Sequence, residues 1–364
     1  MMSRKLKCTL GLITILAASM TLLTGTSFAQ SIGCLPGLPC SSDGNSSGGN
    51  ASSNWPGQWT HDSFSGSTGS RDYYLYTPKN THGQAALPLL VMLHGCSEDA
   101  QSFAAQTGMN DIAEQFGFVV VYPEQTSQYN MMRCWNWFQP DSQARDSGEL
   151  AIVVGIIQKV ESATPIDGNR IYAAGISAGG GLVSNLLACY SDVFSGGGVA
   201  SGLDYEAATS QMDAFTVMSS GPSNQDIPTT AQDAIRCTGR PAHPVAVLSI
   251  HGSSDPFVSP VNQDKVVEQF TAINDLLDDG QANNSQNMNV ISSNSGQVPN
   301  GGYAYTVSTY GGNGTTHIGK ITVSGMGHAW SGAKESGQFA DPKGPNYSLM
   351  LWQFLSQFAV GRSN

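Results

Sequence analysis

Apolar residues along this chain come in short unbroken runs, separated by stretches with helical spacing. Strands are predicted at 71–76 (RDYYLY), 88–94 (PLLVMLH), 118–122 (FVVVY), 170–175 (RIYAAG), 196–200 and 244–251 (PVAVLSIH), with two more at 303–309 and 317–323. Helices are predicted at 108–116, 147–162, 178–190, 261–278 and 346–359. Runs such as Val119-Val120-Val121 do not alternate with polar residues, which indicates strands covered on both faces. Strand and helix in alternation then predict parallel βαβ units with right-handed crossovers. The expectation is one α/β domain, a mostly parallel sheet with helices on both faces. Two stretches stand apart: 41–54 (SSDGNSSGGNASSN) has nothing to bury and reads as a flexible lead-in, and 280–301 reads as a long surface loop.

The first residues follow a different pattern. Arg4, Lys5 and Lys7 precede an apolar run from Thr9 to Leu23, and Ser27-Phe28-Ala29 places small residues for cleavage after Ala29. Residues 1–29 therefore read as a secretory signal peptide. The competing reading, a membrane anchor, needs roughly 20 apolar residues, and this run is shorter. The organisation expected is a signal at 1–29, a lead-in with a small disulfide loop at 30–60, and a catalytic domain at 61–364. The product would be secreted, extracellular or periplasmic, and without membrane contact once the signal is gone.

Composition narrows the function. Of 364 residues 12% are charged, with 16 Lys+Arg against 27 Asp+Glu; loss of the signal removes three basic groups and no acidic one, taking the net charge from −11 to −14. Such a chain does not grip a phosphate backbone, so no nucleic-acid partner is expected. Cys8 leaves with the signal, and Cys34, Cys40, Cys96, Cys134, Cys189 and Cys237 remain. An even set in an exported protein is most simply three disulfides. Cys34 and Cys40 bracket a short Pro- and Gly-containing loop and pair locally, leaving Cys96–Cys134 and Cys189–Cys237 as sequence neighbours. Zinc is the competing use of these residues, but Cys-x-x-Cys and His-x-x-x-His spacings do not occur, so neither metal nor cofactor is expected.

Gly175-Ile176-Ser177-Ala178-Gly179 matches G-x-S-x-G, a cheap match in a chain with 42 Gly. Its context gives it weight. An apolar strand precedes it and a helical pattern follows, so Ser177 falls on a strand-to-helix turn that lifts Oγ to a helix N-terminus. In the chain order nucleophile, acid, base, His328 in Gly327-His328-Ala329-Trp330 follows the last predicted strand and is the candidate base. Asp255 lies just past the strand 244–251, where ligands meet such sheets, and is the candidate acid; Asp204, after 196–200, is its rival. His317 lies within a strand and reads as structural. Backbone amides of Cys96 and Ala178 are the candidate oxyanion donors, with the His94 side chain ordering the Cys96 loop.

His94-Gly95-Cys96, Val121-Tyr122-Pro123-Glu124-Gln125, Arg133-Cys134-Trp135-Asn136-Trp137-Phe138, Gly175-Ile176-Ser177-Ala178-Gly179-Gly180 and Gly327-His328-Ala329-Trp330 together resemble the poly(3-hydroxybutyrate) depolymerase family of esterases, across about Arg71 to Trp330. The resemblance implies an α/β-hydrolase fold and secreted ester hydrolysis, with Ser177, Asp255 and His328 as the triad and Cys96 and Ala178 as donors. Feruloyl and acetylxylan esterases look alike in these motifs and are the alternative; a non-catalytic secreted binding protein is a remote one. Extracellular depolymerases of this type often continue into a linker and a polymer-binding domain, whereas this chain ends soon after 346–359, so weaker attack on crystalline polymer is expected. Trp135, Trp137 and Trp330, with Phe138, are candidates for an apolar substrate rim, although Trp135 and Trp137 read equally well as core. Trp55 and Trp59 are expected to dock on the domain. The partner expected is a polyester or other ester, met by a monomer.

Overall fold

The computed structural model describes residues 55–221, 226–312 and 315–360. The expected signal, most of the expected lead-in and the expected Cys34–Cys40 bridge lie outside these residues.

Ten strands form one sheet: β1 (Gln58–Gly66), β2 (Gly69–Thr77), β3 (Leu87–Leu93), β4 (Val119–Pro123), β5 (Ile166–Ile176), β6 (Gly196–Ala200), β7 (Ala246–Gly252), β8 (Asn287–Gln297), β9 (Ala304–Gly312) and β10 (Thr315–Val323). Their order is β1-β2-β4-β3-β5-β6-β7-β10-β9-β8. The six strands from β4 to β10 in this order pair parallel, and both flanks are antiparallel. Successive residues of the central strands feed two cores. Leu89, Val91, Leu93, Val119 and Val121 face one, while Leu90, Met92, Val120 and Tyr122 face the other.

The first core is covered by α3 (Gly148–Ala163), α4 (Ala178–Cys189), α5 (Gln211–Ser220), α6 (Ile227–Thr238) and α7 (Val261–Asp279). The second is covered by α1 (Ala100–Thr107), α2 (Met109–Phe116) and α8 (Tyr347–Leu355). This is the doubly covered α/β architecture that the unbroken apolar runs predict.

The structure differs from the sequence expectation where polar residues adopt regular structure. β1 begins inside the expected lead-in: Trp59 stacks on Tyr74 at 5.3 Å, and Trp55 lies 4.8 Å from Trp59, so both indoles dock on the domain. The expected loop 280–301 contains β8, at the sheet edge. Its side chains are mostly exposed, and hydroxyl pairs bind it to β9, Ser292 with Thr309 at 2.7 Å and Ser295 with Thr306 at 3.2 Å. A strand held by its neighbour's backbone and hydroxyls needs no apolar alternation. Helices α1, α5 and α6 also lie outside the predicted set; α1 is started by Asp99, whose carboxylate accepts the Ser102 amide at 2.8 Å.

The tryptophan rim is corrected by the fold. Trp135 and Trp137 are buried in the first core and Trp330 in the second, on opposite faces of the sheet. Trp137 lies under α4, where a Cβ on Gly181 would come 2.9 Å from its ring. Trp330 packs edge-on to Phe103 and Tyr347, and its Nε1 donates to Ser348 Oγ at 3.0 Å. None of the three lines a rim. Trp137→Ala is expected to cost about 3–5 kcal/mol of stability by opening a cavity. Urea unfolding measures that loss, and KM of the folded fraction should stay unchanged.

Candidate active site

Between the last residue of β5 and the first of α4 stands Ser177 alone. Its φ of 57° and ψ of −122° are strained for an L-residue. Two backbone bonds hold it there: Ser177 N–H donates to Ala200 O at 2.9 Å, and Ser177 C=O accepts from Gly181 N–H at 2.9 Å. So tight a turn leaves no room for side chains beside it. A Cβ on Gly179 would fall 2.2 Å from Leu93 O, and one on Gly175 would fall 2.6 Å from the Gly179 carbonyl. The glycines of the motif are therefore steric requirements, and Ser177 is presented at the N-terminus of α4.

Asp255 and His328 come from the loops after β7 and β10, which pair in parallel. With Ser177 after β5, all three emerge at the carboxyl ends of the parallel strands, where open α/β sheets bind ligands. Asp255 is held from both sides. Oδ1 accepts the Phe257 and Val258 amides, each at 2.9 Å. Oδ2 lies 2.7 Å from His328 Nδ1 and 3.1 Å from Nε2 of His251, a second histidine that is buried. Burial alone would raise the Asp255 pKa, but hydrogen bonds from His251 and His328 and the Val258 amide outweigh it and hold the carboxyl well below its ordinary value. His251 gave no signal in the sequence beyond its place at a strand end. Asp204 is buried, and the carboxylate that hydrogen-bonds His328 is that of Asp255. His317 sits in β10 against Phe358, away from the strand's carboxyl end. Among the described residues no hydrogen bond reaches Ser177 Oγ; nucleophile–base contacts in unliganded hydrolases are often long and tighten on binding.

The loop after β3 borders the nucleophile: a Cβ on Gly95 would lie 3.6 Å from Ser177 Cβ. His94 Nε2 accepts the Gln125 amide at 3.0 Å, so the ring proton is on Nδ1, which donates to Gly95 O at 2.7 Å. Burial lowers the His94 pKa to about 4, which keeps the ring neutral and this tautomer in place. A trans peptide points its N–H opposite to its C=O. Fixing Gly95 O therefore aims the Cys96 amide away from the His94 ring, and the Cys96–Cys134 disulfide ties the same residue down. Ala178 is the first residue of α4, where the amide has no intrahelical acceptor. Cys189–Cys237 is bonded as well and joins α4 to α6.

Behind the loop is a buried polar network. Glu149 pairs with Arg71 at 3.1 Å and accepts from Gln125 Nε2 at 2.8 Å and the Asn136 amide at 2.7 Å. Gln125 Nε2 also donates to Cys134 O at 2.9 Å. This gives Gln125 and Asn136 of the sequence motifs a physical role, that of bracing the loop after β3 through Glu149 and Cys134.

The aromatic residues at the site are phenylalanines. Phe257 and Phe339 each present an edge to the His328 ring with centroids 5.6 Å away, and Phe257 is 58% exposed. Met131, 91% exposed, and Met132, 61% exposed, stand on the disulfide loop, where Met132 O accepts the Ser97 amide at 2.7 Å. Neither phenylalanine shows periodicity that would have singled it out.

A serine on a strained strand-to-helix turn, with an acid–histidine pair delivered by later strands of a mostly parallel sheet, defines the α/β-hydrolase fold and its nucleophile elbow. Within that class the chain belongs to the Esterase PHB depolymerase family, whose family model matches residues 71–290. The match includes Ser177 and Asp255 and stops before His328, which the 2.7 Å contact with Asp255 ties to the same site. The chain is 34% identical over 268 residues to poly(3-hydroxyalkanoate) depolymerase C of Paucimonas lemoignei, covering 73% of this chain and 60% of that protein. It is 28% identical over 206 residues to feruloyl esterase B of Thermothelomyces thermophilus, covering 55% of this chain and 69% of that protein. Thus the chain spans less than two thirds of the length of the depolymerase relative. An acetyl xylan esterase from Aspergillus awamori shares the fold with a TM-score of 0.60 at 18% identity, covering 75% of this chain and 94% of that structure.

Proposed function

We propose that this protein is a secreted serine esterase that hydrolyses poly(3-hydroxybutyrate)-type polyester, or its oligomers, through an acyl-Ser177 intermediate. The observation that carries the reading is the Asp255–His328 contact of 2.7 Å at the carboxyl ends of the parallel strands, where Ser177 is also presented. Asp255 fixes the Nδ1–H tautomer of His328, leaving Nε2 free to take the Ser177 proton as Oγ attacks the ester carbonyl. The tetrahedral oxyanion is met by the Cys96 and Ala178 amides. His328 then gives its proton to the leaving alcohol, and a water, activated by the same ring, releases the acid and restores Ser177.

Two features favour polyester. The depolymerase relative aligns at higher identity and over more of this chain than the feruloyl esterase. Exposed Phe257, Met131 and Met132 suit an apolar, uncharged chain. The second reading, a feruloyl or acetylxylan esterase, is favoured by the feruloyl relative and the acetyl xylan esterase fold. Secretion is supported by the sequence of residues 1–29 and by two disulfides. Among the described residues no helix is long and apolar enough to cross a membrane.

The deciding experiment compares clearing of a poly(3-hydroxybutyrate) suspension with release of methyl ferulate. Clearing without ferulate turnover is expected; rapid ferulate release without clearing would transfer the assignment to the second reading. Phe257→Ala should slow clearing by about threefold to tenfold, the worth of one lost apolar contact, while hydrolysis of a short soluble ester changes less. Equal losses on both substrates would remove Phe257 from polymer contact.

A further inference from the structure

Glu98 stands where the oxyanion loop meets the nucleophile, and the triad chemistry gives it no part. The residue is 7% exposed, and its Oε2 accepts the Gly95 amide at 2.7 Å. Three atoms close the space over Gly95: a Cβ there would lie 2.9 Å from Glu98 Oε2, 3.4 Å from Ile176 Cγ2 and 3.6 Å from Ser177 Cβ. The carboxyl is thus a near neighbour of Ser177 across a single glycine. Among the described residues Oε1 takes no hydrogen bond.

We propose that Glu98 is a positioning residue of the oxyanion loop, holding the Gly95 amide as an acceptor, and that hydrolysis runs faster while its carboxyl is neutral. The proposal rests on Ser177 as nucleophile and Cys96 as oxyanion donor. Glu98 and His94 clamp the two peptide planes that flank Gly95, one through its N–H and the other through its C=O. The acceptor role survives protonation, because the carbonyl oxygen of a neutral carboxyl still accepts an N–H. The charge acts differently. Negative charge develops on the substrate oxygen in the transition state, and an ionised carboxylate beside the hole repels it in a site poorly screened by water.

The surroundings make that proton available. Burial pushes the Glu98 pKa up to about 7, with Asp99 adding to the rise and the Gly95 amide opposing it. The charged and titratable groups packed about this loop are Asp99, Arg133 at 3.8 Å from Asp99, Glu124 on the Ala100 amide, and the neutral His94. The Arg133 cation is therefore already shared with Asp99. The proton comes off as pH rises through about 7, so the faster form is lost on the alkaline side.

The test is kcat/KM for methyl butyrate from pH 5.5 to 9.5, followed by titration of the acid released. The unaltered enzyme should lose activity above pH 7, and Glu98→Gln, which keeps an acceptor and removes the charge, should exceed it at pH 9 by about tenfold. Glu98→Ala, which loses the acceptor, should lower kcat by about tenfold or more at all pH values with KM little changed. A Gln profile that overlays the unaltered one, or an Ala variant with unchanged kcat, would overturn the proposal. Should neither variant fold, the unaltered enzyme still decides it, because absence of an alkaline fall between pH 6 and 9 overturns it equally. Ser177→Ala run in parallel separates the two readings: residual turnover there would sink the nucleophile assignment, whatever Glu98 does.

Discussion

Replacing Ser177 by Ala is expected to lower kcat/KM for any ester by about 10^4-fold to 10^6-fold, the scale on which serine hydrolases depend on their nucleophile. Folding should be untouched. The Ser177 hydroxyl makes no hydrogen bond among the described residues, and the strained φ of 57° is held by backbone bonds to Ala200 and Gly181 that Ala retains. A purified variant with an unaltered thermal transition and no turnover of p-nitrophenyl butyrate is the expected result. Turnover above about 1% of the starting rate would refute acyl-enzyme chemistry at this position, since truncating a true nucleophile leaves far less.

Asp255→Asn should be nearly as severe, about 10^4-fold in kcat, for a reason of hydrogen-bond polarity. The Asn carbonyl can keep the Phe257 and Val258 amides, which turns its NH2 toward His328 Nδ1 and His251 Nε2. Two donors then face one another, and His328 is driven to carry its proton on Nε2, where it cannot accept from Ser177. The same carboxylate predicts a pH effect on stability. Its folded pKa lies below its unfolded value, so its contribution is fully present above about pH 4, the unfolded value, and is lost as pH falls toward the folded one. Between those limits the loss approaches about 1.4 kcal/mol per pH unit. Urea midpoints collected from pH 5 down to pH 2 should show this slope in the unaltered protein and a shallower one in Asp255→Asn; parallel slopes would refute the linkage.

How much of this could be read beforehand depended on whether a feature is local in the chain. The elbow is local. Gly175 and Gly179 flank Ser177 because backbone lies within 2.6 Å of where their Cβ atoms would be, and that constraint survives as sequence spacing. The order of Asp255 and His328 follows from which strands precede them; a nearly unbroken apolar run marks the one before Asp255, and a more polar segment, TTHIGKITV, forms the one before His328. The rim was not legible. Trp135, Trp137 and Trp330 stand beside motif residues in the sequence, yet burial is decided by the faces of a sheet that the chain crosses many times. Phe257 and Phe339 meet at His328 from separate loops, and β8 is a strand only because β9 supplies its partners. Glu98 carries no mark in the sequence for the same reason: its surroundings depend on Gly95 and Ser177 lying together in space.

The brace behind the loop after β3 ties that loop to a helix built from much later residues. His94, Gly95 and Cys96 come well before Glu149 in the sequence, and Glu149 ties Arg71, Gln125 and Asn136 together. Until α3 docks, the loop lacks that support. A fragment cut between β4 and α3 would carry the loop's sequence without its shape, and one starting at β5 would carry the elbow with nothing opposite it. Neither fragment holds Ser177 and the braced loop together.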